Sequence, residues 1–239
     1  MIDLGKLVHL QGALLWLPCT IVLYAGSSAL HRRLNKAPIA NPTLLTIAAL
    51  VLVLACSGIP YKAYFESVAI LHYLLGTAVV ALALPLYRNA GRLRGRCVCL
   101  AVALVAGSLA SIFVGLSVAV LAHASASTVL SLAPKSATAA VSMEISRLIG
   151  GVPAVTATLA IMTGIIGAVG GPYVLNASRI HTPEARGFAM GIASHGIATA
   201  RAFTESEVAG SFAGLGMVLN AILTALIVPP AVRLLGFSL

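Results

Sequence analysis

The run Ser131-Leu132-Ala133-Pro134-Lys135-Ser136-Ala137-Thr138-Ala139-Ala140-Val141-Ser142-Met143-Glu144-Ile145-Ser146 decides how this chain is read. Ser131, Lys135, Thr138, Ser142 and Ser146 recur at spacings of three and four, so a continuous helix aligns them on one face. Pro134 removes a main-chain donor beside Lys135 and predicts a kink or break. The flanking sequence is apolar enough for a bilayer. A lysine at such depth costs at least ~2.5 kcal/mol on insertion scales, so it is expected to face a bundle interior with a partner. Main-chain groups freed by the break need protein or a water-filled cavity around them.

Working outward, 59% of the residues are hydrophobic and only 9% are charged. A soluble domain carries roughly a quarter charged residues, so water is the wrong solvent. The formal net charge of +9 does not indicate nucleic acid, because the basic residues sit in short loops between apolar runs, as the positive-inside rule expects. Cys19, Cys56, Cys97 and Cys99 lack metal-site spacing and read as packing or lipid-facing residues. The first apolar run ends at His31-Arg32-Arg33, a stop-transfer flank, and is expected to remain a span rather than a cleaved leader.

A spanning helix needs roughly 20 apolar residues. That measure predicts an all-α membrane protein of about eight segments: Leu10 to Leu30, Leu44 to Ser57, Ser67 to Tyr87, Cys97 to Ala122, Ala126 to Leu148, Val152 to Leu175, Gly187 to Phe203 and Ala209 to Leu235. The fifth and seventh are interrupted by polar residues. Arg32, Arg33 and Lys36 in one loop, and Arg88, Arg92, Arg94 and Arg96 in another, place those loops in the cytoplasm. Gly58-Ile59-Pro60 echoes Gly151-Val152-Pro153, and Asn89-Ala90-Gly91-Arg92-Leu93 echoes Asn176-Ala177-Ser178-Arg179-Ile180. The echo divides the chain into amino-terminal helices (1–57), a first repeat (58–150) and a second (151–239). Repeats of three spans each are inverted, with the two interrupted helices crossing near the midplane, a recurrent transporter plan. Gly167 with Gly171, Gly187 with Gly191, and Gly210 with Gly214 form small-xxx-small pairs suited to close helix packing.

The second polar centre is Ser194-His195-Gly196-Ile197-Ala198-Thr199-Ala200-Arg201, followed by Glu205 and Glu207. Two readings stand here. Arg201 and Glu205, four apart, can pair along a helix face. Alternatively the stretch is unwound, with His195 and Thr199 as polar contacts for substrate or a coupling ion. The expected binding residues are Lys135, Ser136, Thr138, His195, Thr199, Arg201 and Asn220, with Glu144 and Glu205 as ion- or proton-coupling candidates. Asn220 and Thr224 lie one turn apart and face one cavity or make a helix-packing hydrogen bond. His9, His31, His72 and His123 sit near span ends and read as interfacial; Tyr61 and Tyr64 with Lys62 read as an interfacial belt. Arg179, His181, Glu184 and Arg186 read as a solvated turn with one ion pair. Nothing supports an enzyme: the only aspartate is Asp3, and no metalloprotease, phosphate-loop or paired-cysteine metal motif is present. No cofactor is expected.

These motifs carry a family resemblance. Ala133-Pro134-Lys135-Ser136, Met143-Glu144-Ile145-Ser146, Gly150-Gly151-Val152-Pro153, Leu84-Pro85-Leu86-Tyr87-Arg88, Pro183-Glu184-Ala185-Arg186-Gly187, Ser194-His195-Gly196 and Asn220-Ala221-Ile222-Leu223-Thr224-Ala225 resemble the LrgB/CidB family from about Gly58 onward. The family is described as antiholin-like, acting with a small LrgA/CidA-type membrane partner on murein hydrolase activity and autolysis. Its plastid relatives export glycolate and import glycerate, and bacterial members are linked to pyruvate traffic. The resemblance therefore implies a monocarboxylate substrate and a bacterial inner-membrane location. Ala139-Ala140 stands where the family usually has Thr-Pro, and Ala198 and Ala221 where it tends to have Gly. Each change favours more regular helix. The chain is thus expected to be a small-anion transporter, with a holin-like regulator as the alternative and a homodimer as the default assembly.

Overall fold

A computed structural model describes residues 4–35, 37–93 and 95–234. Lys36, Arg94 and Leu235 lie outside the described residues, as do the side chains of His9 and His72. Eleven α-helices and two short 3₁₀ turns make up the described residues, which contain no strand. The chain divides into two compact units, Met1–Ala81 and Leu82–Leu239.

The first unit holds α1 (Leu4–Arg33), α2 (Pro42–Ser57), α3 (Tyr61–Ser67) and α4 (Ala69–Ala81). Asn41 caps α2 by accepting from the N–H groups of Thr43 and Leu44, with Pro42 at the first helical position, where its missing donor is not needed. Gly58 closes α2 in the left-handed conformation at φ 65°. Trp16 packs edge-on against Tyr64, ring centroids 5.6 Å apart, and Thr20 Oγ1 lies 3.0 Å from the Tyr64 hydroxyl. Tyr64 is therefore a core residue rather than part of an interfacial belt.

The second unit contains α5 (Ala83–Arg88), α6 (Cys97–Leu121), α7 (Ala126–Leu132), α8 (Ala139–Leu148), α9 (Pro153–Ala177), α10 (Pro183–Glu205) and α11 (Glu207–Leu234). Among the described residues, four helices are long and apolar enough to cross a membrane: α1, α6, α9 and α11. Val98, Val102, Phe113, Val114, Val118 and Leu121 of α6 are all exposed, an arrangement lipid tolerates and water does not.

The two interrupted segments differ from the spans expected of them. Both double back. Arg186 and Glu205, at opposite ends of α10, form an ion pair at 2.9 Å, whereas nineteen residues of straight helix separate them by about 28 Å. The reversal falls at Ser194 (φ −147°, ψ 23°) and His195 (φ 43°, ψ −136°). Both arms lie on α11: Gly187 and Gly191 against the main chain of Ala209 and Ala213, and Gly210 against Phe203 of the returning arm. In the same way Thr156 Oγ1 donates to Ser131 O at 3.0 Å and lies 2.7 Å from Ser146 Oγ. One α9 side chain thus gathers residues that a straight helix holds about 22 Å apart. α7 and α8 are the arms of a first hairpin with its tip at residues 133–138; α10 is the second, with its tip at Ser194–His195. A stretch of 23 residues with a polar centre satisfies the length rule for a span, but so does a hairpin of two half-length arms.

The hairpins enter from opposite ends. Glu184, at the base of the second, pairs with Arg92 and Arg96 at 2.9 and 3.2 Å, just ahead of α6. The base of the first follows the far end of α6 and precedes α9. Along α11, Phe212 joins Phe188 and Ile192 of the second hairpin, while Val228 and Val232 join Leu130, Ala133, Ile145 and Ile149 of the first.

Candidate functional site

The tip of the first hairpin is built around Pro134. With no N–H there, α7 ends and α8 starts afresh after Thr138. Ser142 Oγ donates to Pro134 O at 2.6 Å and lies 3.1 Å from Ala137 O, satisfying carbonyls that the break frees. Lys135 projects from this tip to α6, where its ammonium donates to Ser111 O at 3.0 Å and Ser111 Oγ at 3.1 Å. Gly115 makes room: a Cβ there would lie 2.8 Å from Lys135 Cε. Both partners of the ammonium are neutral oxygens, and among the described residues no carboxylate pairs with it.

Ser136 is buried at the same tip. Its carbonyl accepts from Asn220 Nδ2 at 3.0 Å, while Ser108 Oγ donates to Asn220 Oδ1 at 2.6 Å. Asn220 thereby ties the middle of α11 to the middle of α6 and to the broken segment. Among the described residues, Ser136 Oγ and Thr224 Oγ1 are buried without a hydrogen-bond partner. Buried hydroxyls left so are exceptions in folded proteins.

At the second tip His195 adopts a left-handed φ of 43°, a strained conformation for any residue but glycine. Its Nε2 sits 2.8 Å from Ala160 O on α9. A carbonyl only accepts, so Nε2 carries the proton. Gly164 and Gly167 of α9 clear the space: a Cβ at Gly164 would lie 2.8 Å from His195 Cε1, and one at Gly167 would collide with Ser194 Oγ. Thr199 Oγ1 donates to His195 O at 2.8 Å and lies 4.0 Å from Met217 Sδ.

α11 brings the tips together. Met217 Sδ lies beside Gly196 and Thr199, and Asn220 holds Ser136. Three residues are about 4.5 Å of helix rise, so both breaks meet α11 at nearly one level, close to its midpoint. Ser136 and Thr199 therefore meet α11 there, while Lys135 reaches Ser111 on α6 and His195 turns to Ala160 on α9; Thr138 closes the first tip as the residue preceding α8. Arg201 and Glu205 lie toward the base of the second hairpin. Arg201 donates to Thr204 Oγ1 at 2.7 Å, and Arg186 pairs with Glu205 and also donates to Asn176 Oδ1 and Ile180 O. The turn expected to be solvated with one ion pair sends Glu184 to both Arg92 and Arg96. Glu144 is exposed and pairs with Arg147 at 3.2 Å, away from the tips.

Sequence reasoning missed Ser108, Ser111 and Gly115. Their three-and-four spacing within a largely apolar segment was the available signal. Among the described residues no cluster of His, Cys, Asp or Glu is arranged to hold a metal ion.

A family model described as "LrgB-like family" matches residues 20–234. "Holin-like protein CidB" of Staphylococcus epidermidis is 31% identical over 226 residues, covering 95% of this chain and 98% of the relative. The Staphylococcus aureus (strain Mu50) protein of the same name is 30% identical over 223 residues, covering 93% and 96%. A Bacillus subtilis protein, YwbG, is 34% identical over 210 residues, covering 88% and 93%. No solved structure matches the chain.

Proposed function

Because this chain belongs to the LrgB-like family, we propose that it is a multi-pass membrane transporter of a small organic anion, a monocarboxylate of the glycolate, glycerate or pyruvate kind. One observation carries the reading. The Lys135 ammonium extends from the tip of the first hairpin to the middle of α6, where among the described residues its partners are neutral oxygens of Ser111. A charge held at membrane depth without a counter-ion is costly, and a carboxylate arriving there supplies the missing charge. The helix that starts after Thr138 adds the positive end of its dipole. Ser136, Thr138, His195, Thr199 and Asn220 are the further binding residues of this reading; Arg201 and Glu205 lie toward the base of the second hairpin, where ion or proton coupling through Glu205 would act, with Glu144 as the more distant candidate.

The hairpins also support the inverted-repeat plan. Each of the stretches 58–150 and 151–239 holds one hairpin, and the two enter from opposite ends, the arrangement that alternating access exploits. By the positive-inside rule the Arg92–Arg96 end is cytoplasmic, and in a bacterium the membrane is the inner one. A homodimer is the assembly proposed.

A second reading is favoured by the name of the staphylococcal relatives, holin-like protein CidB. In it the chain regulates murein hydrolase activity with a small LrgA/CidA-type partner, and oligomerisation is the function. Counterflow of labelled glycolate, glycerate and pyruvate in proteoliposomes separates the two. The transporter reading expects saturable exchange that Lys135→Ala reduces to background in protein that still inserts and melts normally. Absence of exchange for every acid, with an autolysis phenotype indifferent to Lys135, removes it.

A further inference from the structure

A cavity of about 420 Å³ lies between α6 and the first arm of the second hairpin, within the roughly 300–1,000 Å³ range of ligand sites. It runs along α6 from Cys99 to Ser111, about 18 Å of helix rise. One leaflet of a bilayer holds about 15 Å of hydrocarbon, half of the roughly 30 Å core. The cavity therefore has the depth of a single acyl chain. Its back wall is firm, because Phe188 and Ile192 are buried against Leu100 and Leu104 of α6. Its front is open: Ala103, Ala189 and Ala193 line it and are exposed. Lys135 is not part of the lining, so this space is not the polar site at the hairpin tips.

The charges at its mouth are unbalanced. Arg96 immediately precedes α6, and the N–H of Leu100, a lining residue, donates to Arg96 O at 2.9 Å. Ala185, the neighbour of Glu184, lines the mouth from the other side. Arg92 and Arg96 reach the same oxygen of Glu184, each through Nη1, at 2.9 and 3.2 Å. The Glu184 side chain is nearly buried, whereas both arginine side chains are 53% exposed. Two guanidinium groups thus share one carboxylate, and their remaining donors suit the oxygens of a phosphate.

We propose that this cavity binds an anionic glycerophospholipid of the cytoplasmic leaflet, its phosphate on Arg92 and Arg96 and one acyl chain lying along α6 as far as Ser111. The inference goes beyond the transport reading and does not depend on the cargo. A soluble anion engages the arginines and leaves the groove empty. A zwitterionic lipid fills the groove and leaves the excess charge unmatched. An anionic lipid satisfies both, and basic pockets between spanning helices on the cytoplasmic side are suited to such headgroups. Seated there, the chain fills the gap between α6 and the arm that leads to Ser194 and His195, and braces the second hairpin.

The test is photolabelling of the full chain in phosphatidylcholine vesicles by trace phosphatidylglycerol that carries a diazirine on one acyl chain. Label is expected within 99–111 and 185–193. Unlabelled phosphatidylglycerol is expected to compete about fivefold better than phosphatidylethanolamine, the preference that one unmatched arginine near the surface confers. Arg96→Gln removes the excess charge yet leaves Glu184 its 2.9 Å partner Arg92, and is expected to abolish that preference. Ala103→Leu fills the groove without touching the arginines, and is expected to cut labelling of both stretches severalfold. Melting temperatures check folding, and a defect in one variant leaves the other to decide. Equal competition by the two lipids, or a preference that survives Arg96→Gln, overturns the inference, because either marks ordinary boundary lipid. Crosslinking of Cys99 between two copies, with the groove left unlabelled, overturns it as well and makes this face a contact between copies. None of these outcomes bears on monocarboxylate counterflow, so the transport reading stands or falls separately.

Discussion

The side-chain amide of Asn220 donates to the main-chain oxygen of Ser136, 3.0 Å away and 84 positions earlier in the chain. Its carbonyl oxygen meanwhile accepts from Ser108 at 2.6 Å. Three elements are joined through one fully buried amide. Asn220→Ala leaves Ser136 O and Ser108 Oγ stranded, at about 1–3 kcal/mol for each buried group so orphaned. The melting temperature in detergent is expected to fall, and Ser108→Ala in that background to cost little more, because the bond it would remove is already gone. Additive losses in the double variant count against the shared network.

The Arg186–Glu205 pair closes the base of the second hairpin with both side chains largely buried. Removing one partner strands a charge there, so Glu205→Ala is expected to destabilise by about 3 kcal/mol or more. Exchanging the two, Arg186→Glu with Glu205→Arg, is expected to recover part of that loss, whereas each single reversal does not. Thermal unfolding of the four proteins reads the coupling directly. No recovery implies that the partners of Arg186 on and after α9, Asn176 and Ile180, hold the base instead.

Gly164→Ala places a methyl group where the His195 ring lies and is expected to displace Nε2 from Ala160 O. Overpacking of this kind costs about 1–3 kcal/mol. The same substitution at Gly170, where a Cβ meets nothing within 4 Å, is expected to leave the melting temperature nearly unchanged. Comparable shifts at both positions would show that helix propensity rather than the His195 contact is being measured.

Glu184 lies outside the membrane-spanning segments. A hydrogen bond from its own main-chain N–H, helped by the Arg92 and Arg96 guanidinium groups, holds its carboxyl below the ordinary carboxylate range although burial opposes this. A carboxylate with a depressed folded value stabilises the protein at pH above its unfolded value and loses that contribution as pH falls through the folded value. The melting temperature is thus expected to decline on acidification, and Glu184→Gln to flatten that decline while lowering stability at neutral pH. A variant whose acid profile matches the parent's excludes Glu184 as the responsible group.

Residue types made the two breaks readable in advance. Pro134 cannot donate to a helix, and Ser194-His195-Gly196 sits among residues too polar for an uninterrupted span. The long apolar segments α6, α9 and α11 were legible from length alone. The reversal of direction was not, because hydrophobic periodicity reports which face is apolar and is silent on whether a second arm continues or returns. The opposite charges at the ends of α10, Arg186 and Glu205, were the one local hint. Of the candidate residues, those in broken segments stood out by their chemistry. Ser108 and Ser111 did not, since single hydroxyls in a transmembrane helix commonly satisfy themselves on the preceding turn, and only the fold aims them at Asn220 and Lys135.

Gly164 and Gly167 cut a notch in α9 into which Ser194 and His195 fit. A tooth set in a gap resists sliding, so the second tip is keyed to α9. Any shift of the second tip along α9 therefore first has to lift Ser194 and His195 out of that gap.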